Sequence, residues 1–401
     1  MTEKYTSTKI ACYIGYFVQA IINNLAPLFY VIFHNDFNIS YTKISWLILI
    51  NFITQLFTDI ASVKITQKLG YRKSVLAAHI FSATGLVLLG ILPVTMKNSY
   101  IGLIIPIIIY AMGSGLIEVM ISPIIEGLPL QNKSGEMSLL HSFYCWGQTA
   151  VVLVSTLLLK LIGDSHWSYI PVLWAVVPAV NFFMFLKVPI IPPVADDEES
   201  MKISELFRNK IFLVLAVLML CSGASEISMA QWASTFAENS LGVNKVVGDI
   251  LGPCMFAVLM GVGRVIFGFI GDKVNIGKIL LAGAVLCFVS YVAATLAKNP
   301  VVSLISCELC GLSVSTMWPG VLSLGAKSFP KGGTGLFAML AMFGDFGCAF
   351  GPWLAGVMSD VKENIGFISM EPLKFGLLIC GIFPLLITFL LIKNRILHGK
   401  M

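Results

Sequence analysis

The sequence has 401 residues, of which 57% are hydrophobic and 12% are charged, and its mean hydropathy is +0.88. A soluble fold of this length cannot bury so much apolar surface, so the composition excludes a water-soluble globular protein. The net charge of +5 comes mainly from Lys and Arg in the connections between apolar runs, so we expect no nucleic-acid partner.

Twelve apolar runs follow one another along the chain, and each is long enough to cross the hydrocarbon core of a bilayer as a helix. The pattern predicts an all-α membrane protein with twelve transmembrane helices, for which the lipid bilayer is an obligatory partner. Numbered as spans one to twelve, the runs are 9–33, 44–63, 74–95, 101–125, 137–162, 169–189, 210–235, 246–270, 277–297, 301–325, 334–358 and 373–392.

The connections between spans are unequal in positive charge, which predicts the orientation because Lys and Arg are retained on the cytoplasmic side. With the N-terminus inside, the cytoplasmic segments hold 18 Lys and Arg residues and the opposite segments hold 7, while Arg264 lies within span eight. This bias predicts a multi-pass protein of the cell membrane with cytoplasmic N- and C-termini.

The longest cytoplasmic connection, 190–209, contains Pro192, Pro193 and the acidic run Asp196–Glu199. Such a composition cannot enter a bilayer and is typical of a mobile linker. We therefore predict an N-terminal six-helix bundle at 1–189, a cytoplasmic linker at 190–209 and a C-terminal six-helix bundle at 210–401.

The two halves share short matches that suggest an internal repeat. Gly115 of span four recurs as Gly311 of span ten, 196 residues later, and the Leu and Pro that follow it recur at the same displacement. Gly147 of span five recurs as Gly347 of span eleven, 200 residues later. The displacements agree with a repeat boundary in the linker.

The connection after span eight carries a motif of glycine and charged residues, Gly268-x3-Asp272-Lys273, followed by Gly277-Lys278. It resembles the loop motif G-x3-D-[RK]-x-G-[RK]-[RK] of the major facilitator superfamily, and a degenerate copy follows span two. The resemblance covers essentially the whole chain and implies that superfamily's fold, two pseudo-symmetric six-helix bundles. It also implies that such charges latch the halves together in one gating state. The gating motif so defined comprises Gly70, Arg72, Lys73, Arg264, Gly268, Asp272 and Lys273.

A second resemblance lies in spans four and five, where residues 113–129 (GSGLIEVMISPIIEGLP) are followed by Leu140-His141-Ser142-Phe143. These segments are similar to those of fucose permease-like sugar symporters, which carry a glutamate in the same G-x-x-E context before a small-Pro pair. Asn23-Asn24-Leu25 in span one is also similar to that group, although Ala26 and Pro27 stand where an acidic residue follows. The resemblance implies symport of a fucose-, galactose- or glucose-like sugar with protons.

Polar side chains form stripes on four helices of the first half, spaced so that each stripe shares one helical face. They predict a wet, hydrogen-bonding cavity near the middle of the membrane. The alternative is that they only join neighbouring helices, as Asn, Gln and Ser often do. We predict that the residues of the four stripes listed next contact the solute, except for the serines and the acidic residues. The stripes are Tyr16, Gln19, Asn23 and Asn24 in span one, Asn51, Gln55 and Asp59 in span two, Ser114, Glu118 and Ser122 in span four, and His141, Tyr144 and Gln148 in span five.

In the second half, span seven carries Glu226, Gln231 and Trp232. A carboxylate, an amide and an indole can together grip the hydroxyl groups and the apolar face of a sugar. Trp318 of span ten and Trp146 of span five are similar aromatic candidates, and for each tryptophan an anchor at the lipid interface is the alternative. We predict solute contacts at Gln231, Trp232 and Trp318, and interface anchors at Trp167 and Trp174.

Ionisable side chains at membrane depth are costly unless they face a cavity or a partner, so they are candidates for proton coupling. Glu118 is the strongest candidate because it lies in the matched motif, and its repeat counterpart, Val314, shows that the architecture does not require an acid there. Asp345 in span eleven is a gate partner, a proton carrier or the counter-ion of Arg264. The proton-coupling candidates are Glu118, Glu226, Asp59 and Asp345.

Together these features predict a secondary active transporter that moves a small polar solute, most simply a sugar, by proton-coupled alternating access. Two alternatives stay open: proton-driven efflux of amphipathic drugs or metabolites, and a receptor or scaffold built on a transporter fold. An enzyme is not expected, because the chain shows no H-E-x-x-H, Walker-type or nucleophile–base pattern. We therefore expect no catalytic residue, no cofactor and no metal site, and we expect a monomer.

Overall fold

The computed structural model describes residues 5–129, 133–191, 201, 203–270, 274–329, 332–365 and 370–393. Within this part of the chain every regular element is helical, and twelve helices are long and apolar enough to cross a membrane. The prediction of an all-α protein with twelve membrane spans is confirmed. The spans are Thr6–Asp36, Tyr41–Ser62, Lys68–Thr95, Ser99–Ile125, Leu139–Ile162, Tyr169–Lys187, Lys210–Ser240, Lys245–Phe267, Ile276–Leu296, Pro300–Ser328, Ala338–Val361 and Pro372–Lys393.

The chain divides into two compact units, Met1–Val194 and Ala195–Met401, and the division falls inside the predicted linker. Residues 192–200 and 202 lie outside the described part of the chain. At the other end of the predicted linker, Ile203–Arg208 is a short helix. Its Leu206 is fully buried within the second unit, and its Phe207 ring, which is 39% exposed, lies 5.2 Å from that of Phe212.

Span one is broken where a proline enters it. The α-helix Thr6–Asn24 is followed by a 3₁₀ turn at Ala26–Phe29 and by a second α-helix at Tyr30–Asp36. Pro27 has no N–H and cannot donate to the Asn23 carbonyl one turn earlier, which favours a break at this point. Two of the predicted polar residues, Asn23 and Asn24, therefore stand at the end of the first helix.

Spans two and three lie in one helical stretch, Tyr41–Thr95, that is interrupted at Gly70. The backbone of Gly70 has φ 78° and ψ 161°, a conformation that glycine adopts without the penalty of a Cβ atom. Gly70 therefore makes the turn between the two spans. The remaining helices of the first unit are Ser99–Glu126, Lys133–Ile162, the 3₁₀ turn Asp164–His166, Tyr169–Trp174 and Val176–Lys187.

The second unit contains two π-helical turns. Phe236–Ser240 ends span seven, and Ile250–Cys254 lies near the start of span eight. In the first of them the Leu241 N–H donates to the Phe236 carbonyl, five residues earlier, at 3.2 Å. Such turns are rare in proteins. The α-helices of this unit are Ile203–Arg208, Lys210–Thr235, Lys245–Asp249, Met255–Ile270, Ile276–Leu296, Pro300–Val314, Met317–Ser328, Gly333–Ile365, Pro372–Cys380 and Ile382–Lys393.

The glycines of the predicted repeat occupy equivalent places in the two units. A methyl group at Gly115 of span four would lie 2.9 Å from the Gln55 carbonyl of span two. At Gly311 of span ten it would lie 2.8 Å from the carbonyl carbon of Phe256 in span eight. Spans four and ten thus approach spans two and eight closely enough to require glycine.

The second repeated glycine shows the same relation. A methyl group at Gly147 of span five would lie 3.2 Å from Phe17 Cα in span one, and at Gly347 of span eleven it would lie 2.8 Å from the carbonyl carbon of Leu220 in span seven. Each unit therefore holds its first and fifth helices together through a glycine contact, which supports the predicted repeat.

The prediction that Trp167 and Trp174 are interface anchors is wrong. Trp167 is only 3% exposed, and its ring lies 5.1 Å from that of Phe29. Trp174 is 9% exposed, and its indole N–H donates to Ser155 Oγ at 2.8 Å. Both rings are buried inside the first unit because aromatic and hydroxyl partners are available there, which their positions near span ends did not reveal.

Candidate functional site

Two hydrogen-bonded pairs join span one to span four. The Gln19 amide nitrogen donates to Glu118 Oε2 at 2.7 Å, and the hydroxyl oxygens of Tyr16 and Ser122 lie 2.9 Å apart. Tyr16 and Gln19 are three residues apart on span one, and Glu118 and Ser122 are four residues apart on span four. These spacings let both pairs form between the same two helix faces. Gln19 and Tyr16 are buried, whereas Glu118 and Ser122 keep part of their surface accessible.

Asn23 is the centre of an amide cluster between spans one and two. Its Oδ1 accepts hydrogen bonds from Asn51 Nδ2 at 3.3 Å and from Gln55 Nε2 at 2.9 Å. Gln55 Oε1 in turn accepts a hydrogen bond from Ser114 Oγ of span four at 2.9 Å. All four side chains are buried, and Asn51 Oδ1 has no hydrogen-bond partner within the described residues. A buried acceptor without a partner is costly, so this oxygen is suited to accept a hydrogen bond from a solute or a water molecule.

Gln148 of span five is a second buried amide, whose nitrogen lacks a hydrogen-bond partner among the described residues, and it lies beside the contact between Tyr144 and span one. Asn24 Nδ2 of span one donates to the Ala20 carbonyl at 3.0 Å and to the Tyr144 hydroxyl at 3.3 Å. One helical turn after Tyr144, Gln148 is 2% exposed, and its Nε2 has no hydrogen-bond partner in the part of the chain that is described. Among the amides of the predicted stripes, Asn51 Oδ1 is thus a buried acceptor and Gln148 Nε2 a buried donor without a hydrogen-bond partner in the described residues.

The structure brings the four predicted stripes together within the first unit. Most of their amides bond one another, which is the helix-joining role, but the two unpartnered atoms on Asn51 and Gln148 are not explained by that role. His141 of span five is exposed and lies edge-on to Tyr16, with ring centroids 5.0 Å apart.

Asp59 lies where span two passes span four. A methyl group at Gly115 would be 2.7 Å from Asp59 Oδ1, so glycine is needed for this carboxylate to approach the helix. Gly115 and Glu118 are separated by three residues on span four, which places them on adjoining turns of one helix. Two of the predicted proton carriers, Asp59 and Glu118, are thus associated with the same segment of span four.

In the second unit, Glu226 of span seven forms an ion pair with Arg264 of span eight. Arg264 Nη2 lies 3.1 Å from Oε1 and 3.2 Å from Oε2 of Glu226. The Arg264 side chain is 19% exposed, and the Glu226 side chain is 10% exposed. Each charge neutralises the other inside the unit. Arg264 therefore has a counter-ion in Glu226, a pairing that the sequence patterns did not indicate.

Trp232 and Gln231 of span seven are both buried. The Trp232 indole has no exposed surface, and its N–H donates to the Pro352 carbonyl of span eleven at 2.9 Å. Gln231 is 3% exposed. In this structure Trp232, predicted to contact the solute, is thus a packing group between two helices.

Trp318 lies against span eleven, at the point where span ten is interrupted. The helices of span ten are Pro300–Val314 and Met317–Ser328, so Trp318 is the second residue of the second helix. A methyl group at Gly344 would lie 2.6 Å from Trp318 Cζ3, and Asp345 is the next residue of span eleven. Because the Trp318 side chain is only partly buried, its ring retains a surface that a solute can contact.

Replacing Trp318 by Ala should weaken solute binding by about 1–3 kcal/mol, since truncation of a contacting aromatic ring removes both buried area and stacking. Binding of the transported solute to purified protein in detergent measures the effect. Trp46→Ala is the matched control, because Trp46 is 44% exposed and is not a predicted solute contact, so its loss should leave affinity unchanged. If the Trp318 variant binds the solute as tightly as the wild type, Trp318 is an anchor at the lipid interface and does not contact the solute.

The first copy of the gating motif is built around Arg72. Its Nη1 donates to the carbonyl oxygens of Phe185 at 2.6 Å and Leu186 at 2.9 Å, and its Nη2 donates to that of Val188 at 2.8 Å. A guanidinium group at the C-terminus of span six satisfies carbonyls that have no helical partner and opposes the negative end of the helix dipole. Within the first unit Arg72 is therefore a helix cap.

The other residues of the motif are only partly described. Lys73 is exposed, and Gly268 lies in the helix Met255–Ile270 at the end of span eight. Asp272 and Lys273 lie outside the described residues. The latch that the loop motif implies for Asp272 stays a prediction.

A buried polar contact that the sequence patterns did not indicate joins spans one, three and six. Asn181 Nδ2 donates to the Ala11 carbonyl at 3.0 Å and to His79 Nε2 at 2.8 Å. His79 Nδ1 lies 2.7 Å from the Val75 carbonyl, so Nδ1 carries the proton and Nε2 accepts. The asparagine in the apolar span six was the available signal, because an amide at that depth requires a partner.

A charged cluster joins the ends of spans seven and eight. Ser234 Oγ donates to Asp249 Oδ1 at 2.5 Å, while Lys245 Nζ lies 3.5 Å from Asp249 Oδ2 and 3.4 Å from Glu238 Oε2. Lys245 and Asp249 are four residues apart on one helix, a spacing that favours an ion pair. The cluster connects the two helices across the π-helical turns.

The sequence profile of the Major Facilitator Superfamily matches residues 12–352, which is most of the chain. The chain belongs to the major facilitator superfamily. The resemblance carried by the loop motif is thereby confirmed, and the protein is a membrane transporter of this superfamily. No curated protein sequence matches the chain significantly.

Solved structures of this superfamily share the fold at low sequence identity. A variant of the E. coli fucose:proton symporter is 18% identical, with 98% of this chain and 99% of that chain covered and a TM-score of 0.64. A variant of the nucleoside transporter NupG is 14% identical, with 96% and 99% covered and a TM-score of 0.78. A D-xylose-proton symporter is 14% identical, with 97% and 98% covered and a TM-score of 0.78.

Proposed function

We propose that this superfamily member is a secondary active transporter that carries a small, neutral, hydroxyl-rich solute, most simply a sugar, together with protons across the cell membrane. The observation that carries the proposal is the polar network of the first unit. It combines unpartnered amide atoms on Asn51 and Gln148 with a hydrogen-bonded carboxyl group on Glu118. Amides of this kind bind hydroxyl groups, and a carboxyl group can take up and release a proton.

The chemistry of the network favours an uncharged solute. The amides around Asn23 and Asn24 offer neutral donors and acceptors, which suit hydroxyl groups. An anionic solute would need a basic partner, and Arg264 of the second unit already pairs with Glu226. The solutes named for the similar structures, fucose, xylose and nucleosides, are likewise neutral and rich in hydroxyl groups.

Transport would follow alternating access, in which two six-helix bundles expose a solute to one side of the membrane at a time. The charge bias of the connections supports an orientation with both termini in the cytoplasm. A monomer suffices for this mechanism. The proposed solute contacts are Asn23, Asn24, Asn51, Gln55, Tyr144 and Gln148 in the first unit, and Gln231 and Trp318 in the second.

Counterflow in proteoliposomes tests this function. Vesicles loaded with one unlabelled hexose, pentose or nucleoside should accumulate the same labelled solute transiently, because exchange needs only a binding site that opens to both sides. Glucose and glucuronate form a matched pair that differs mainly in charge, and glucuronate should not exchange. Liposomes without protein give the background. Exchange of glucuronate at the rate of glucose, or no exchange of any neutral hydroxylated solute, would contradict the proposal.

A further inference from the structure

The two pairs that join spans one and four lie in order along the first unit. Tyr16 precedes Gln19 on span one, and Ser122 follows Glu118 on span four, which runs in the opposite direction. The Tyr16–Ser122 pair is therefore closer than the Gln19–Glu118 pair to the end of the unit at which span one begins. Ser122 is one helical turn from Glu118, so its hydroxyl group is the next polar side-chain group on span four towards that end.

His141 continues this series to the surface. It is the third residue of span five, which begins at the same end of the unit, and its ring lies 5.0 Å from the Tyr16 ring at an interplanar angle of 75°. Tyr16 is only 5% exposed, whereas His141 is exposed. Imidazole is the side chain that exchanges protons with water most readily near neutral pH.

We propose that Ser122, Tyr16 and His141 form the route by which a proton passes between Glu118 and water at the end of the first unit where span one begins. The inference rests on the proposed proton coupling at Glu118. The route is distinct from the amide cluster around Asn23, and it moves Tyr16 and His141 from the predicted solute contacts to proton transfer.

The transfer balances at each step. The Glu118 carboxyl group loses its proton, and the hydroxyl groups of Ser122 and Tyr16 each accept one proton while donating another, so both remain neutral. The imidazole of His141 gains the proton, becomes an imidazolium ion and releases the proton to water. Where two neighbouring groups of the route are not in contact, a water molecule bridges them. Such a water molecule can bind there because the surroundings are polar and partly accessible.

Tyr16→Phe tests the route because it removes only the hydroxyl group and keeps the ring beside His141. Tyr13→Phe is the matched control, since Tyr13 lies one turn earlier on the same helix and stacks on Phe143 with ring centroids 4.5 Å apart. Solute-driven proton uptake into proteoliposomes, followed with a pH-sensitive dye, should slow at least about tenfold in Tyr16→Phe and stay near wild type in Tyr13→Phe.

Two further measurements separate proton transfer from solute binding. Counterflow, which needs no net proton movement, should stay within about twofold of wild type in Tyr16→Phe and in His141→Ala. Imidazole added to the buffer should restore the proton uptake of His141→Ala, because the site is exposed and a small base can replace the lost side chain. A purely structural role for His141 would give no such rescue.

The remaining outcomes overturn either the route or the proton coupling on which it rests. Equal losses of counterflow and proton uptake would place Tyr16 and His141 in the solute site and overturn the route. Wild-type proton rates in both variants would also overturn it. If wild-type protein exchanges solute but moves no protons with it, proton coupling fails together with the route, while the proposed solute site stands.

Discussion

A Glu118→Gln variant should exchange solute normally yet fail to concentrate it against a gradient. The amide keeps the shape of the side chain and a hydrogen bond with Gln19, which the structure shows at 2.7 Å from the carboxylate, but it cannot take up or release a proton. A symporter that cannot release its proton cannot complete the coupled cycle. Counterflow and pH-driven accumulation in the same proteoliposomes measure the two activities.

Glu308→Gln is the control for this experiment, because Glu308 is another carboxyl group within a span and belongs to the other unit. It should leave accumulation intact. If Glu118→Gln still concentrates solute with unchanged pH dependence, Glu118 is structural. The coupling role would then pass to Asp59, Glu226 or Asp345, or the driving ion would not be a proton.

An Arg264→Met variant should lose about 3–5 kcal/mol of stability, because it leaves the Glu226 carboxylate buried without its partner. The Arg264 side chain is 19% exposed and the Glu226 side chain is 10% exposed, so little solvent is available to stabilise the carboxylate once the guanidinium charge is removed. The double variant Arg264→Met with Glu226→Gln removes both charges and should recover much of the loss. Thermal unfolding in detergent and the yield of folded protein measure these changes.

Arg208→Met is the matched control for that series, since Arg208 is exposed and its loss should change stability little. A double variant as unstable as Arg264→Met would show that the missing carboxylate partner is not the cause. Full stability of Arg264→Met would mean that the ion pair contributes nothing measurable in solution.

Hydropathy and helical periodicity predicted the architecture well, because the bilayer demands helices of a set length with their backbone groups satisfied internally. The same periodicity predicted which polar residues share a helix face, such as Tyr16, Gln19 and Asn23 on span one. It could not predict which faces meet, because that depends on helix rotation and packing. The pairing of Gln19 with Glu118 and the approach of Asp59 to Gly115 emerge only in the structure.

The errors concern residues whose chemistry suits two environments. An indole fits both a lipid interface and a buried site with one acceptor, so neither Trp167 nor Trp232 revealed its burial from sequence. Arg264 could pair with any acid of its unit, and only the three-dimensional arrangement singles out Glu226. The helix that contains Leu206 was hidden by the acidic run before it, because composition averages over a segment that is locally apolar at its end.

Each π-helical turn of the second unit accommodates one residue more than an α-helix would over the same stretch. Deleting Asn239 from Phe236–Ser240 would therefore restore α-helical bonding without rotating the helix before the turn. Ser234 precedes the deleted residue and Asp249 follows it, so their hydrogen bond reports whether the shortened connection keeps spans seven and eight in register. The hairpin between spans seven and eight thus holds a residue that it can lose while the helix before the turn keeps its orientation.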